Sequence, residues 1–134
     1  MSDPAIRPVR ADDAPAPVAG APYSPGVVAE AAGLVFVSGQ VALDTATGAL
    51  VEGGVAAQTT QALAHVAAIL RAAGSGPERI VKTTVYLTDL TGDFAAMNEA
   101  YRAALGTHAP ARATVGVAAL PLGAAVEVEA IALR

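Results

Sequence analysis

The chain has no cysteine among its 134 residues. This absence excludes disulfide bonds, thiolate nucleophiles and thiolate metal ligands in one step. His65 and His108 remain as the only imidazoles, which argues against a dedicated zinc site. A chain of this length buries roughly two-thirds of the surface that it exposes when unfolded, so one domain needs neither metal nor disulfide for stability. We therefore predict no metal and no cofactor.

Positive charge is scarce and dispersed. Eight Lys and Arg residues stand against twelve Asp and Glu residues, giving a formal net charge of -4. Tryptophan is absent, and the aromatic residues are three tyrosines and two phenylalanines. Binding to nucleic acid depends on concentrated positive charge and, for single strands, on aromatic stacking. We therefore expect no nucleic-acid partner.

Long hydrophobic runs are also missing. Alanine raises the hydrophobic fraction to 54%, yet no stretch reaches the roughly 18 uninterrupted apolar residues of a membrane span. Charged residues interrupt the first 20 positions, which therefore lack the apolar core of a signal peptide. We predict a cytoplasmic protein with no membrane partner.

Proline is concentrated at the N-terminus, where six of the nine prolines precede residue 26. Each proline fixes φ and removes a backbone donor. Residues 1–21 are therefore predicted to form an extended or partly disordered arm, followed by a single domain at residues 22–134.

The remaining sequence alternates between strand and helix patterns. The predicted elements are strands at 27–31 and 34–37, a helix at 54–73, a strand at 80–87, a helix at 93–105, and strands at 113–120 and 125–133. The strand at 80–87 is rich in β-branched residues, which favours a central position with Val81, Thr83, Val85 and Leu87 on one face. This order of elements indicates an α+β fold.

Helical spacing assigns a buried face to each helix. The first helix has Leu63, Val66 and Leu70 on its apolar face, and His65 is predicted to lie at the solvated surface. In the second helix Asp93 is the predicted cap. The predicted buried stripe of that helix, flanked by Asn98, consists of Phe94, Met97, Tyr101 and Leu105.

Arg112 opens a strand that is otherwise almost wholly apolar. Its guanidinium either reaches solvent at the end of the sheet or meets an anion. Arginine suits bidentate capture of a carboxylate, and the backbone amide of Thr114 offers a further donor. The sequence leaves both readings open.

Two carboxylates share one face of the last strand. Glu127 and Glu129 precede Ile131 and Leu133 on that face, which is therefore mixed rather than plainly solvated. A carboxylate beside an apolar wall can have a raised pKa and act as an acid or base, whereas a solvated edge glutamate does neither. Spacing alone does not choose between the two residues.

Two further positions are candidates for binding a small anion. Tyr23 lies between prolines that either aim its phenol at a site or use it to anchor the arm. Ser38 and Gly39 end an apolar strand with a hydroxyl and an approachable amide, a possible pair of oxyanion donors.

Taken together, these motifs occur in a specific order. The chain resembles the RidA (reactive intermediate deaminase) family from about Pro22 to Arg134. The residues that carry the resemblance are Pro22-Tyr23-Ser24-Pro25-Gly26, Val37-Ser38-Gly39-Gln40, Val81-Lys82-Thr83-Thr84-Val85-Tyr86-Leu87, Asp93-Phe94-Ala95-Ala96-Met97-Asn98, Pro110-Ala111-Arg112 and Glu127-Val128-Glu129-Ala130-Ile131-Ala132.

The resemblance implies a chorismate-mutase-like mixed sheet with two helices on one face, assembled as a homotrimer with clefts between subunits. It implies cofactor-free hydrolysis of 2-imino acids, such as 2-iminopropanoate and 2-iminobutanoate, to 2-keto acids and ammonia. Arg112 would hold the substrate carboxylate and Glu127 would position the attacking water. The cleft would be lined by Tyr23, Ser38, Gly39, Asn98 and Thr114.

Two departures from the family pattern bear on substrate preference. Thr114 replaces a cysteine of the best-known members, and the segment from Asn98 to Arg112 is shorter than in many of them. The alternatives to an imine deaminase are a non-catalytic small-carboxylate-binding protein and a ribonuclease, an activity historically attached to the family.

The spacing of the two principal residues raises a geometric question. If the last two strands formed a hairpin, Glu127 would lie opposite Ala118, roughly 20 Å from Arg112. Either these strands are not a simple hairpin, or the two residues meet from different chains.

Overall fold

Six strands form one sheet in the computed structural model, which describes residues 3–134. The strands are β1 (Ile6–Val9), β2 (Gly26–Ala29), β3 (Leu34–Gln40), β4 (Ile80–Leu87), β5 (Ala111–Gly116) and β6 (Val126–Leu133). The helices are α1 (Gly54–Ala72) and α2 (Leu90–Leu105). The strand order is β1-β2-β3-β6-β4-β5, antiparallel throughout except for the parallel pair β4 and β5. The predicted α+β fold with a mixed sheet is confirmed.

The core lies between one face of the sheet and the two helices. Alternate residues of β6, from Val126 to Ala132, are buried on this face. The predicted apolar face of α1 is confirmed, since Leu63, Val66 and Leu70 are all buried there. We call the other side of the sheet the helix-free face. No helix within residues 3–134 combines the length and the apolar character that crossing a membrane requires.

Part of the N-terminal segment belongs to the sheet. Residues 6–9 form β1, which pairs antiparallel with β2 at the edge. Pro8 is compatible with this strand because an edge strand leaves one row of backbone groups unpaired. The Arg7 side chain lies 2.8 Å from Glu30, which also pairs with Arg134. The segment predicted as an arm is thus tied to the domain at residues 6–9.

The predicted face assignment of β4 is wrong at Val81. The register with β6 shifts between Ile80 and Lys82, so Val81 is an extra residue at a β-bulge and is exposed. Side chains normally alternate between the two faces of a sheet, and one extra residue shifts that alternation by one position for the residues that follow it. Ile80 therefore joins Thr83 and the following alternate residues on the buried face.

Helix α2 begins earlier than predicted, because Asp89 rather than Asp93 is its cap. The Asp89 side chain accepts a hydrogen bond from the Gly92 amide at 3.0 Å. The predicted stripe is buried at Met97 and Tyr101 but not at Phe94, which is 41% exposed. Phe94 lies beside the guanidinium of the neighbouring strand β5 instead of entering the core.

The prediction that His65 lies at the surface is wrong. Its side chain is 1% exposed, and Nε2 lies 2.7 Å from the Leu43 carbonyl oxygen. The loop at residues 41–51, closed by a bridge between Leu43 and Leu50, covers this side of α1. Because a carbonyl oxygen only accepts hydrogen bonds, His65 donates through Nε2 and fastens the loop.

The last two strands are not a hairpin. Strand β4 lies between β5 and β6, pairing parallel with the first and antiparallel with the second. Strand β5 ends at Gly116, short of the predicted residue 120, and Pro121–Gly123 form a single 3-10 turn before β6. The roughly 20 Å separation that a hairpin would impose therefore does not apply, and the positions of Arg112 and Glu127 follow from their pairing with β4.

Candidate functional site

The two principal candidate residues lie on opposite faces of the sheet. Arg112 pairs in register with Thr83, which is buried beneath α2 and hydrogen-bonded to the Tyr101 hydroxyl at 2.7 Å. Glu127 pairs with Tyr86, three residues farther along β4. Side chains alternate between faces along a strand, so Glu127 lies on the helix-free face and Arg112 on the helix-covered face. One chain does not bring the two together.

An open groove of about 410 Å³ surrounds Glu127, and we call it the glutamate half-site. It is lined by Tyr23, Ser38, Gly39, Pro121, Glu127 and Glu129. Four of the predicted site residues, Tyr23, Ser38, Gly39 and Glu127, are therefore brought together here from separate parts of the chain. Sequence reasoning missed Pro121, which carried no signal beyond its turn-forming tendency.

A β-bulge shapes the wall of this groove. Ser38 and Gly39 together oppose Glu129 alone, between the pairs Val37–Ala130 and Gln40–Val128. Glu127 packs directly on Gly39, where a Cβ atom would lie only 2.7 Å from the glutamate's carboxyl carbon. The missing side chain at position 39 is thus what makes room for the carboxylate.

The surroundings of Glu127 make its carboxylate better able to accept and release a proton. Burial, and secondarily the nearby charge of Glu129, raise the pKa of Glu127 above its ordinary value of 4.5. Within residues 3–134, no protein group donates a hydrogen bond to its carboxylate. Glu127 is therefore free to hold a water molecule or a ligand.

Glu129 differs from Glu127 in having a protein partner. The Tyr86 hydroxyl donates a hydrogen bond to its carboxylate, and this bond is the main reason that the pKa of Tyr86 rises to about 12. Tyr86 consequently stays protonated at neutral pH. The structure separates the two glutamates that spacing left equivalent, with Glu129 engaged and Glu127 open.

The other residues of this half-site are held by local hydrogen bonds. The Tyr23 hydroxyl accepts from the Val18 amide at 3.1 Å, so the phenol both anchors the N-terminal segment and lines the groove. The Ser38 hydroxyl donates to the Ser24 carbonyl at 2.6 Å. Because that hydrogen is engaged, the remaining capacity of the Ser38 hydroxyl is as an acceptor.

A second cavity of about 410 Å³ borders Arg112 on the helix-covered side, and we call it the arginine half-site. It is lined by Asn98, Tyr101, Arg102, Leu105, Gly106, His108, Ala109, Pro110 and Arg112. The Arg112 guanidinium lies 4.8 Å from the centre of the Tyr101 ring, an aromatic platform that orients a cation. Within residues 3–134, Arg112 forms no ion pair with a carboxylate.

The predicted residues Asn98 and Thr114 also belong to this side of the molecule. Asn98 lines the cavity, and Thr114 follows Arg112 on the same face of β5. The Oδ1 atom of Asn98 and the Oγ1 atom of Thr114 are buried without a hydrogen-bond partner in the described chain. Both atoms therefore keep their capacity to accept a hydrogen bond from another group.

Tyr101, whose ring lies beneath Arg112, was not predicted as a site residue, and neither was Tyr86, which donates a hydrogen bond to Glu129. Tyr101 appeared in the sequence only as a buried stripe position, and Tyr86 only as a strand residue. Their roles follow from the strand order, which places β4 beside both β5 and β6. No local spacing in the sequence carries that information.

The family model, the similar sequences and the similar structures all point to one family. The family model described as endoribonuclease L-PSP matches residues 13–134. The human 2-iminobutanoate/2-iminopropanoate deaminase is 44% identical over 121 residues, covering 90% of this chain and 86% of that protein. Protein DfrA of Myxococcus xanthus is 46% identical over 118 residues, covering 88% and 89%. RidA from the Antarctic bacterium Psychrobacter superposes with a TM-score of 0.87 at 42% identity, covering 96% of this chain and 99% of that one. The chain therefore belongs to the endoribonuclease L-PSP family, the RidA family that its ordered motifs indicated.

Proposed function

We propose that the protein is a cofactor-free hydrolase that converts 2-iminopropanoate and 2-iminobutanoate to 2-keto acids and ammonia, in a cleft shared between copies of the chain. The observation that carries the proposal is the division of charge between the half-sites. Among residues 3–134, Arg112 has no acidic partner on one face of the sheet, and Glu127 has no donor on the other. Relatives such as the human protein bear the name of this activity.

The reaction needs only these two groups and water. The Arg112 fork binds the substrate carboxylate through two parallel hydrogen bonds, which fixes the imine carbon. Glu127 accepts a proton from water as the water oxygen attacks that carbon, and the proton then passes to nitrogen. The resulting carbinolamine then loses its hydroxyl proton, which Glu127 transfers to the amino nitrogen, so that the C–N bond breaks, ammonia leaves and the carbon–oxygen double bond of the keto acid forms. Atoms and charges balance without a metal or an electron carrier.

The placement of the half-sites also constrains the assembly. A cleft that takes Arg112 from one copy and Glu127, on the opposite face of the sheet, from another fits a head-to-tail interface, which closes into a ring of three or more copies. The helix-free face offers apolar side chains to such an interface, since Phe36 is 42% exposed and Val115 is 39% exposed. A homotrimer, the assembly implied by the resemblance, satisfies both requirements.

The direct test generates the imine in place with a pyridoxal-phosphate dehydratase acting on serine or threonine. We expect the protein to release keto acid and ammonia faster than spontaneous hydrolysis does, without added metal or cofactor. Light scattering at micromolar concentration should give three times the mass of the chain. Hydrolysis no faster than the spontaneous rate would contradict the enzyme, and a monomer mass would contradict the shared cleft.

A further inference from the structure

The arginine half-site holds more positive charge than one carboxylate requires. Arg102 and His108 line the same cavity as Arg112, and neither Asp nor Glu lines it. The chain has eight Lys and Arg residues and a net charge of -4. That two of those eight cations border one cavity without a neutralising acid points to an anionic occupant.

In the described part of the chain, the Arg102 side chain has no protein partner that would explain its position. Both ion pairs found within residues 3–134 involve Glu30, so Arg102 is not paired, even with Glu99 three positions before it on α2. A cation in the last turn of a helix gains a small stabilisation from the helix dipole. That role would affect stability alone and would not depend on any ligand.

His108 supplies a second polar group on the same wall. Its Nε2 atom lies 2.7 Å from the Ile80 carbonyl, which only accepts, so Nε2 carries a hydrogen. The ring is thereby fixed at the start of the segment that leads into Arg112, and its Nδ1 atom is left for another partner.

The spacing along α2 suits an elongated ligand. Asn98, Tyr101, Arg102 and Leu105 follow the i, i+3, i+4, i+7 pattern and form one face about 10 Å long. The Arg112 guanidinium lies over Tyr101 on this face. Apolar atoms of Leu105, Ala109 and Pro110 complete the cavity and suit the carbon chain between two charged ends.

We infer that the arginine half-site accepts 2-imino acids whose side chain carries a second carboxylate. Arg112 binds the carboxylate next to the imine carbon, and Arg102, beside His108 on the cavity wall, binds the carboxylate at the other end. The inference rests on the proposed function and refines it, because the same hydrolysis is directed to a dicarboxylic substrate class.

Binding of non-reactive keto acids tests the inference directly. We expect calorimetry to show that the wild type binds 2-oxoglutarate about 5- to 20-fold more tightly than 2-oxobutanoate, because a second charge-assisted pair forms at an exposed arginine. Arg102→Ala should abolish this preference and leave 2-oxobutanoate affinity within about two-fold. Arg102→Gln, which retains helix propensity, should behave in the same way. Arg71→Ala, which removes an exposed guanidinium from α1 outside the cavity, is the matched control and should preserve the preference.

Turnover gives a second readout with imines made by an amino-acid oxidase from glutamate and from 2-aminobutanoate. Arg102→Ala should lower kcat/KM for the first imine by a similar 5- to 20-fold and spare the second. Equal binding of the two keto acids by the wild type, or equal weakening of both by Arg102→Ala, would overturn the inference. In that case continued hydrolysis of 2-iminobutanoate would leave the proposed function standing, whereas loss of all imine hydrolysis in the wild type would remove the proposed function itself.

Discussion

Glu127→Gln is expected to slow imine hydrolysis by roughly 10²- to 10⁴-fold, the usual size of a general-base contribution, while binding of a non-reactive 2-keto acid is retained. The amide keeps the shape of the side chain and still accepts a hydrogen bond from water, but it cannot take the proton. Single-turnover rates and calorimetric affinities, measured on the same preparations, separate the two effects.

Glu129→Gln is the matched comparison, two residues along the same strand. Tyr86 already engages Glu129, so this variant should retain most of the maximal rate. The effect should appear instead in the pH profile. The wild-type rate falls as pH drops through the raised pKa of Glu127, because the base must be ionised. Removing the Glu129 charge lowers that pKa and moves the acid limb to lower pH.

Two results would contradict the roles given to Glu127 and Glu129. If Glu127→Gln hydrolyses the imine at the wild-type rate in a single turnover, the glutamate is structural and the protein acts by positioning alone, or is not this enzyme. If Glu127→Gln and Glu129→Gln slow the reaction equally, the distinction between the open and the engaged glutamate fails.

Arg112→Ala has the second largest expected effect, a loss of about 10- to 150-fold in affinity for the keto acid. The variant removes a charge-assisted pair worth roughly 1.5 to 3 kcal/mol. Arg112→Lys should restore only part of the affinity, because lysine keeps the charge but loses both the planar fork and its stacking on Tyr101. Calorimetric titration with 2-oxobutanoate measures all three proteins.

The result for Arg112 also decides between the two readings that the sequence left open. Equal affinity in the wild type, Arg112→Ala and Arg112→Lys would make the guanidinium a surface group at the end of β5. A selective loss in Arg112→Ala, with partial recovery in Arg112→Lys, would establish carboxylate capture.

Local patterns in the sequence indicated both helices and every strand except β1, and they drew attention to the candidate site residues. Alternation and β-branching gave the bounds of β4, and the apolar spacing of α1 identified its buried face. Glu127 and Arg112 emerged because a carboxylate on a mixed face and a cation in an apolar strand are physically unusual. Their expected roles came from the resemblance and remain proposals.

What local patterns missed depends on contacts between distant segments. The insertion of β6 between β3 and β4 decides which faces the candidates occupy, and no periodicity encodes that order. One extra residue at Val81 reverses the alternation that the pattern assumed. His65 is polar by type yet buried, because a loop 22 residues away in sequence supplies the acceptor.

The most direct test of the account mixes two variants that are each strongly impaired at a subsaturating concentration of imine. Glu127→Gln retains Arg112, and Arg112→Ala retains Glu127. In a mixed trimer, a shared cleft is therefore intact wherever it takes Arg112 from a Glu127→Gln subunit and Glu127 from an Arg112→Ala subunit. Random reassembly of a head-to-tail trimer from equal amounts should therefore restore about one quarter of the wild-type activity. Activity that stays at the average of the two separate variants after demonstrated subunit exchange would contradict the shared site.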